Sequence, residues 1–161
     1  MKGFFTVNTP SQWLDLFILV GFLVPIVIHD MREKKIPNIY VIPCFCLLLL
    51  SRLLFRPTIS LWFFLDVTIG FFFIWILWFF TGGRIGLGDA KLSGLLALAL
   101  GLAGWLFALF IASFTGLITG LILLRIKKIK REEGIPFAPF LAAGGVVSFF
   151  LKDLVAGLYH G

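Results

Sequence analysis

The stretch LSGLLALALGLAGWLFALFIASFTGLITGLILL, Leu92 to Leu124, decides the fold. It runs for 33 residues without a charge. As one α-helix it would be about 50 Å long at ~1.5 Å per residue, against a hydrocarbon core of roughly 30 Å. A single crossing cannot use that length. The run therefore reads as a short helix followed by a full one, divided near Gly101 to Gly104, where glycine lets the chain leave helical geometry.

Four further apolar runs flank it: about Trp13 to His29, Ile39 to Leu54, Leu61 to Phe80, and Phe137 to Leu151 or slightly beyond. With the divided run they predict an all-α polytopic membrane protein of six transmembrane helices. The composition agrees, with 60% apolar residues, 14% charged residues and a mean hydropathy of +1.08. A soluble domain carries about 25% charged residues. This chain cannot cover a water-exposed surface, so lipid is its solvent. Its length suits one domain over 1–161, and its 20 phenylalanines suit side chains facing acyl tails.

Charge sets the orientation. Ten of the fourteen Lys and Arg lie in three loops, around Arg32 to Lys35, Arg84 to Lys91, and Arg125 to Arg131. Only Lys2, Arg52, Arg56 and Lys152 fall on the other side. The positive-inside rule makes the ten-charge side cytoplasmic and both termini external, and the division of the long run is what brings all three loops to one face. The net charge of +6 is thus a topology signal and does not imply nucleic acid. Cys44 and Cys46 stand together in an apolar run, without the paired spacing of a zinc site; neither metal nor cofactor is expected. The first apolar run lacks a basic leader and a small-residue exit, so it reads as a retained helix. Gly116 and Gly120, and Ala97 and Gly101, permit close helix contacts within the bundle or between copies in a homo-oligomer.

Eight acidic residues remain to be sorted. Asp15 and Asp153 fall near outer helix ends, with water in reach. Glu33, Glu132 and Glu133 balance loop cations. Asp66 lies inside the third run, where a carboxylate is costly unless paired, and Arg52 or Arg56 could serve. Asp30 ends the first run and Asp89 begins the fourth, which puts both at the cytoplasmic boundary. Two carboxylates in one partly desolvated site cannot both ionise easily, leaving one acid and one base. Placement alone leaves a second reading open, in which they cap helix ends or pair with Lys34, Lys35 and Lys91.

The surroundings of Asp89 are more specific. Gly86-Leu87-Gly88-Asp89-Ala90-Lys91-Leu92 resembles the GxGD motif of type IV prepilin peptidases and the related archaeal preflagellin peptidases. Asp30-Met-Arg-Glu-Lys-Lys-Ile-Pro37-Asn38 resembles that family's first aspartate motif, and Pro136-Phe137-Ala138-Pro139-Phe140-Leu141-Ala142 a third segment. The three occur in the family's order across most of the chain. The resemblance implies a membrane aspartyl endopeptidase that cuts a short basic leader from pilin-like precursors at the cytoplasmic face of the inner membrane. Asp30 and Asp89 match the catalytic aspartates, and Gly86 and Gly88 the motif glycines. Pro37 and Asn38 would shape the chain after Asp30, and Lys91 would tune or orient Asp89. Pro136, Phe137 and Pro139 would help form a substrate groove. Such substrates commonly carry an acid shortly after the cut, which Lys34, Lys35 or Lys91 could pair. Longer bacterial members add an N-terminal cytoplasmic region, often with paired CxxC motifs, associated with methylation. Only twelve residues precede the first run here, so the expected activity is cleavage alone. The presenilin and signal-peptide-peptidase class shares G-x-G-D, but usually has a tyrosine before its first aspartate, where this chain has His29. A proton or cation transporter is the rival from another class, although apart from Asp66 no polar track crosses the bilayer.

Overall fold

The computed structural model describes residues 10–55, 61–82, 86–126 and 135–159, and side chains at 13–55, 64–82, 86–126 and 135–151. These residues form five helices and no strand: α1 (Pro10–Glu33), α2 (Asn38–Phe55), α3 (Leu61–Phe80), α4 (Leu87–Arg125) and α5 (Ala138–Tyr159). A helix satisfies its own backbone, which is what a chain in lipid requires. Three of them, α1, α2 and α4, are long and apolar enough to cross a membrane; the described parts of α3 and α5 are shorter and also apolar. Large side chains face outward, among them Phe17, Phe79, Phe80 and Phe110, each more than 60% exposed. The inward set is smaller: Leu19, Ile26, Leu48, Leu96 and Leu141 are fully buried.

The 39-residue α4 contains the decisive irregularity. Gly101 has φ 73° and ψ 170°, so two helical arms meet there. Only glycine adopts such a backbone without strain. The break falls at the start of the interval in which the sequence divides the run. It is also a reversal. The indole Nε1 of Trp105 donates to the Ser93 hydroxyl at 2.7 Å, although a straight helix would hold those positions about 18 Å apart. The second arm therefore returns toward the end of the bundle at which the first began.

Small residues let the arms pack. A Cβ on Gly70 of α3 would stand 2.6 Å from the Ala97 Cβ, and Gly144 of α5 lies against the Ala108 carbonyl. The Ser93 hydroxyl in turn donates a hydrogen bond to the Gly70 carbonyl at 2.7 Å, tying α3 to the first arm. Gly116 faces Phe140 and Phe137, and Gly120 faces Ile135. The GxxxG pair thus has neighbours within the chain.

One acid departs from expectation. Asp15 is not near water. It is 3% exposed, accepts a hydrogen bond from Ser51 Oγ at 2.6 Å, and has Arg52 Nε at 3.8 Å. A carboxylate at that depth is tolerable only with such partners. Asp66 lies within electrostatic reach of Arg52, one of the two cations expected for it. Glu33 is exposed and has His29 Nε2 at 3.2 Å. Arg56, Arg84, Glu132, Glu133, the cations from Lys127 to Arg131, and the side chains of Lys152 and Asp153 lie outside the described residues.

Candidate active site

Asp89 owes its position to the two glycines before it. Gly86 is the N-cap of α4, in extended backbone with φ −71° and ψ 137°, and its carbonyl accepts the Asp89 N–H at 3.0 Å. Asp89 is therefore the third residue of the helix. An acid in that first turn lies at the positive end of the helix. A Cβ on Gly86 would stand 3.4 Å from Asp89 Oδ2. Gly88 has a different reason: a Cβ there would meet the Ile36 Cβ at 2.7 Å. Glycine lets the segment after α1 lie directly on the start of α4.

That segment carries Asp30 with it. Asp30 sits in the last turn of α1, and the turn closes with Lys34 N–H donating to the Asp30 carbonyl at 2.8 Å. Lys34 is left-handed, with φ 52°, in the position where helices commonly place glycine. After it the chain runs through Ile36, which is buried, to Pro37 and Asn38, where α2 begins. Asn38 Oδ1 accepts from Lys91 Nζ at 2.7 Å, a second tie between the α1–α2 connection and α4. Lys91 thus braces Asn38.

Both carboxylates are buried, Asp30 at 5% and Asp89 at 7% exposure. They line one cavity of about 1350 Å³, close enough for their charges to repel. Lys34 and Lys35 stand at the same cavity. Its remaining wall is apolar: Phe73, Ile74 and Leu77 from α3, and Leu106, Leu109, Phe110 and Leu117 from the second arm of α4. Ser113 and Gly116 interrupt that wall.

The third segment does more than line this space. Pro136 and Phe137 border the cavity, while the next residue, Ala138, opens α5. Its N–H is one of the amides a helix start leaves without an internal partner, and it donates to Asp30 Oδ2 at 3.3 Å. Pro139 follows inside the first turn, where a missing N–H costs nothing. Its side faces a separate hollow of about 290 Å³, beside Val20, Val24 and Val27 of α1. Of the three groove residues expected from the sequence, two border the aspartates and Pro139 does not. Each aspartate is therefore held by the positive end of a helix, Asp89 by α4 and Asp30 by α5. The Ala138 amide was not legible as a contact, since the signal was only a pair of prolines at a helix start.

The sequence is similar to those of known proteins. The profile of the type IV leader peptidase family matches residues 17–121. A prepilin leader peptidase/N-methyltransferase of Xanthomonas campestris pv. campestris is 34% identical over 154 residues, covering 91% of this chain and 53% of that protein. One from Bacillus subtilis is 26% identical over 151 residues, covering 91% and 60%. One from Burkholderia pseudomallei is 40% identical over 86 residues, covering 50% and 28%. The chain thus spans between half and two thirds of the first two relatives' length. No solved structure gives a significant match.

Proposed function

Because the chain belongs to the type IV leader peptidase family, we propose that it is a membrane aspartyl endopeptidase, with Asp30 and Asp89 as its catalytic residues, that removes the leader of pilin-like precursors. The observation that carries this reading is the meeting of two buried carboxylates, from α1 and α4, on one large cavity. Such a pair shares a proton. Its ionised member takes a proton from a water, whose oxygen attacks the scissile carbonyl carbon. Its protonated member donates to the carbonyl oxygen. Collapse of the tetrahedral species breaks the C–N bond, and a proton passes to the leaving amine. One water is consumed, and the pair recovers its single proton. The titration belongs to the pair rather than to either residue.

The cavity suits the substrate class. A helix about 10 Å across and rising ~1.5 Å per residue would fill 1350 Å³ with roughly eleven residues. The apolar wall would take the start of a precursor's hydrophobic helix, and Lys34 or Lys35 would pair its acidic residue. The Lys91 tie to Asn38 favours those two over Lys91. Six crossings follow when the two arms of α4 count separately. Both termini are then external and the aspartates sit at the cytoplasmic face of the inner membrane, where the loop cations cluster. The partners are the precursor and lipid; nucleic acid has no role.

The test is cleavage of a purified pilin-like precursor in detergent, followed by its size. Asp30→Asn and Asp89→Asn should each lower turnover by about 10²–10⁴-fold or more, with elution on gel filtration unchanged. Cleavage that survives in both variants, or none by the wild type, would sink the proposal.

A further inference from the structure

A second polar cluster lies away from the aspartate pair, around the reversal in α4. Breaking a helix strands carbonyls at the end of the first arm and amides at the start of the second. In a bundle surrounded by lipid those groups must find partners within the protein. Here they do. Arg52 Nη2 of α2 donates to the Ala99 carbonyl at 3.0 Å, two residues before Gly101. The Asp66 carboxylate of α3 stands at the start of the second arm, where a Cβ on Gly101 would lie 3.8 Å from its Oδ2. A cation thus meets the negative end of one helix and an anion the positive end of the next, each on its favourable side. Arg52 is itself steadied by Asp15 at 3.8 Å, and Asp15 by Ser51.

The first arm carries Asp89. The second carries Leu109, Phe110, Ser113 and Leu117 of the opposite wall. The angle at Gly101 therefore sets the width of the cavity. We propose that Arg52 and Asp66 are positioning residues that cap the two helix ends at Gly101 and so fix the opening between Asp89 and the wall that receives the substrate's helix. The activity arm of this inference rests on the protease reading; the geometry does not. A swing of about 10° about Gly101 moves position 117, about 24 Å along the arm, by ~4 Å.

The experiment compares Asp66→Leu, which removes the acceptor, with Asp66→Asn, which keeps an oxygen able to cap. Spin labels at Ile39 and Ile118, both exposed, report the spacing of α2 and the second arm in a chain with Cys44 and Cys46 replaced. Asp66→Leu should shift or broaden that distance by about 3–5 Å. It should raise KM for the precursor about tenfold with kcat held within about twofold, as a loss of binding alone would. Asp66→Asn should restore both. Asp66→Ala supplies the same loss with less bulk if the leucine variant does not fold. An unchanged distance in the leucine or alanine variant overturns the proposal whatever the activity. Equal damage by asparagine and leucine also overturns it, since a charge pair with Arg52 would then be the whole effect. A wild type without peptidase activity defeats the protease reading and leaves the distance measurement to decide this one.

Discussion

Gly88 shows how a single hydrogen in place of a methyl group can decide a site. Its Cβ would meet Ile36 at 2.7 Å, so Gly88→Ala must push the segment behind Asp30 away from the helix start behind Asp89. Overpacking of this kind costs about 1–3 kcal/mol. Gly88→Ala should lower the thermal midpoint in detergent and reduce turnover, and adding Ile36→Ala should return most of the stability. If the second change gives no relief, the close approach is not the reason for the glycine. At this scale the sequence was readable where chemistry names the residue. Asp30, Asp89 and the motif glycines stand out because acids are scarce and glycines precede one of them. Asp15 was misread for a physical reason: its partners Ser51 and Arg52 lie 36 and 37 positions away. Nothing local to residue 15 announces them.

Among the described elements, the end of α1 carries backbone strain. A left-handed non-glycine residue costs roughly 1–2 kcal/mol, and Lys34 carries that conformation at φ 52°. Lys34→Gly should therefore raise stability by about 1 kcal/mol. If Lys34 pairs with the precursor's acid, the same change should raise KM, so stability and affinity move in opposite senses. A fall in both would count against the strain; a rise in stability with KM unchanged would count against the pairing. Helix positions were well legible from the chain: α3 spans Leu61–Phe80 as expected, and the division of the long run falls at Gly101. Apolar length against bilayer thickness carries that information. The angle at the division was not legible, because it depends on Arg52 and Asp66 from two other helices.

For the molecule as a whole, the return of the second α4 arm brings residues 89 and 117 to one cavity. The proposed orientation can be checked directly. A cysteine at Lys35, with Cys44 and Cys46 replaced, should react with a membrane-impermeant maleimide in inverted vesicles and resist it in intact cells. Labelling in intact cells would reverse the assigned topology. A bell-shaped dependence of kcat/KM on pH should accompany a shared proton. Activity falls on the acid side as the pair takes a second proton, and on the alkaline side as it loses the one it needs. A rate that only climbs with pH would exclude the paired mechanism.

The contact between Ala138 and Asp30 has a practical consequence for anyone mapping this protein by mutagenesis. The donor is main chain, and the side chain above it is already a methyl group. A scan that replaces each residue by alanine passes over position 138 without altering it. Ester-for-amide replacement there, by semisynthesis, removes the donor and leaves every side chain in place. By that chemistry, a position silent in an alanine scan becomes an anchor of one of the two acids.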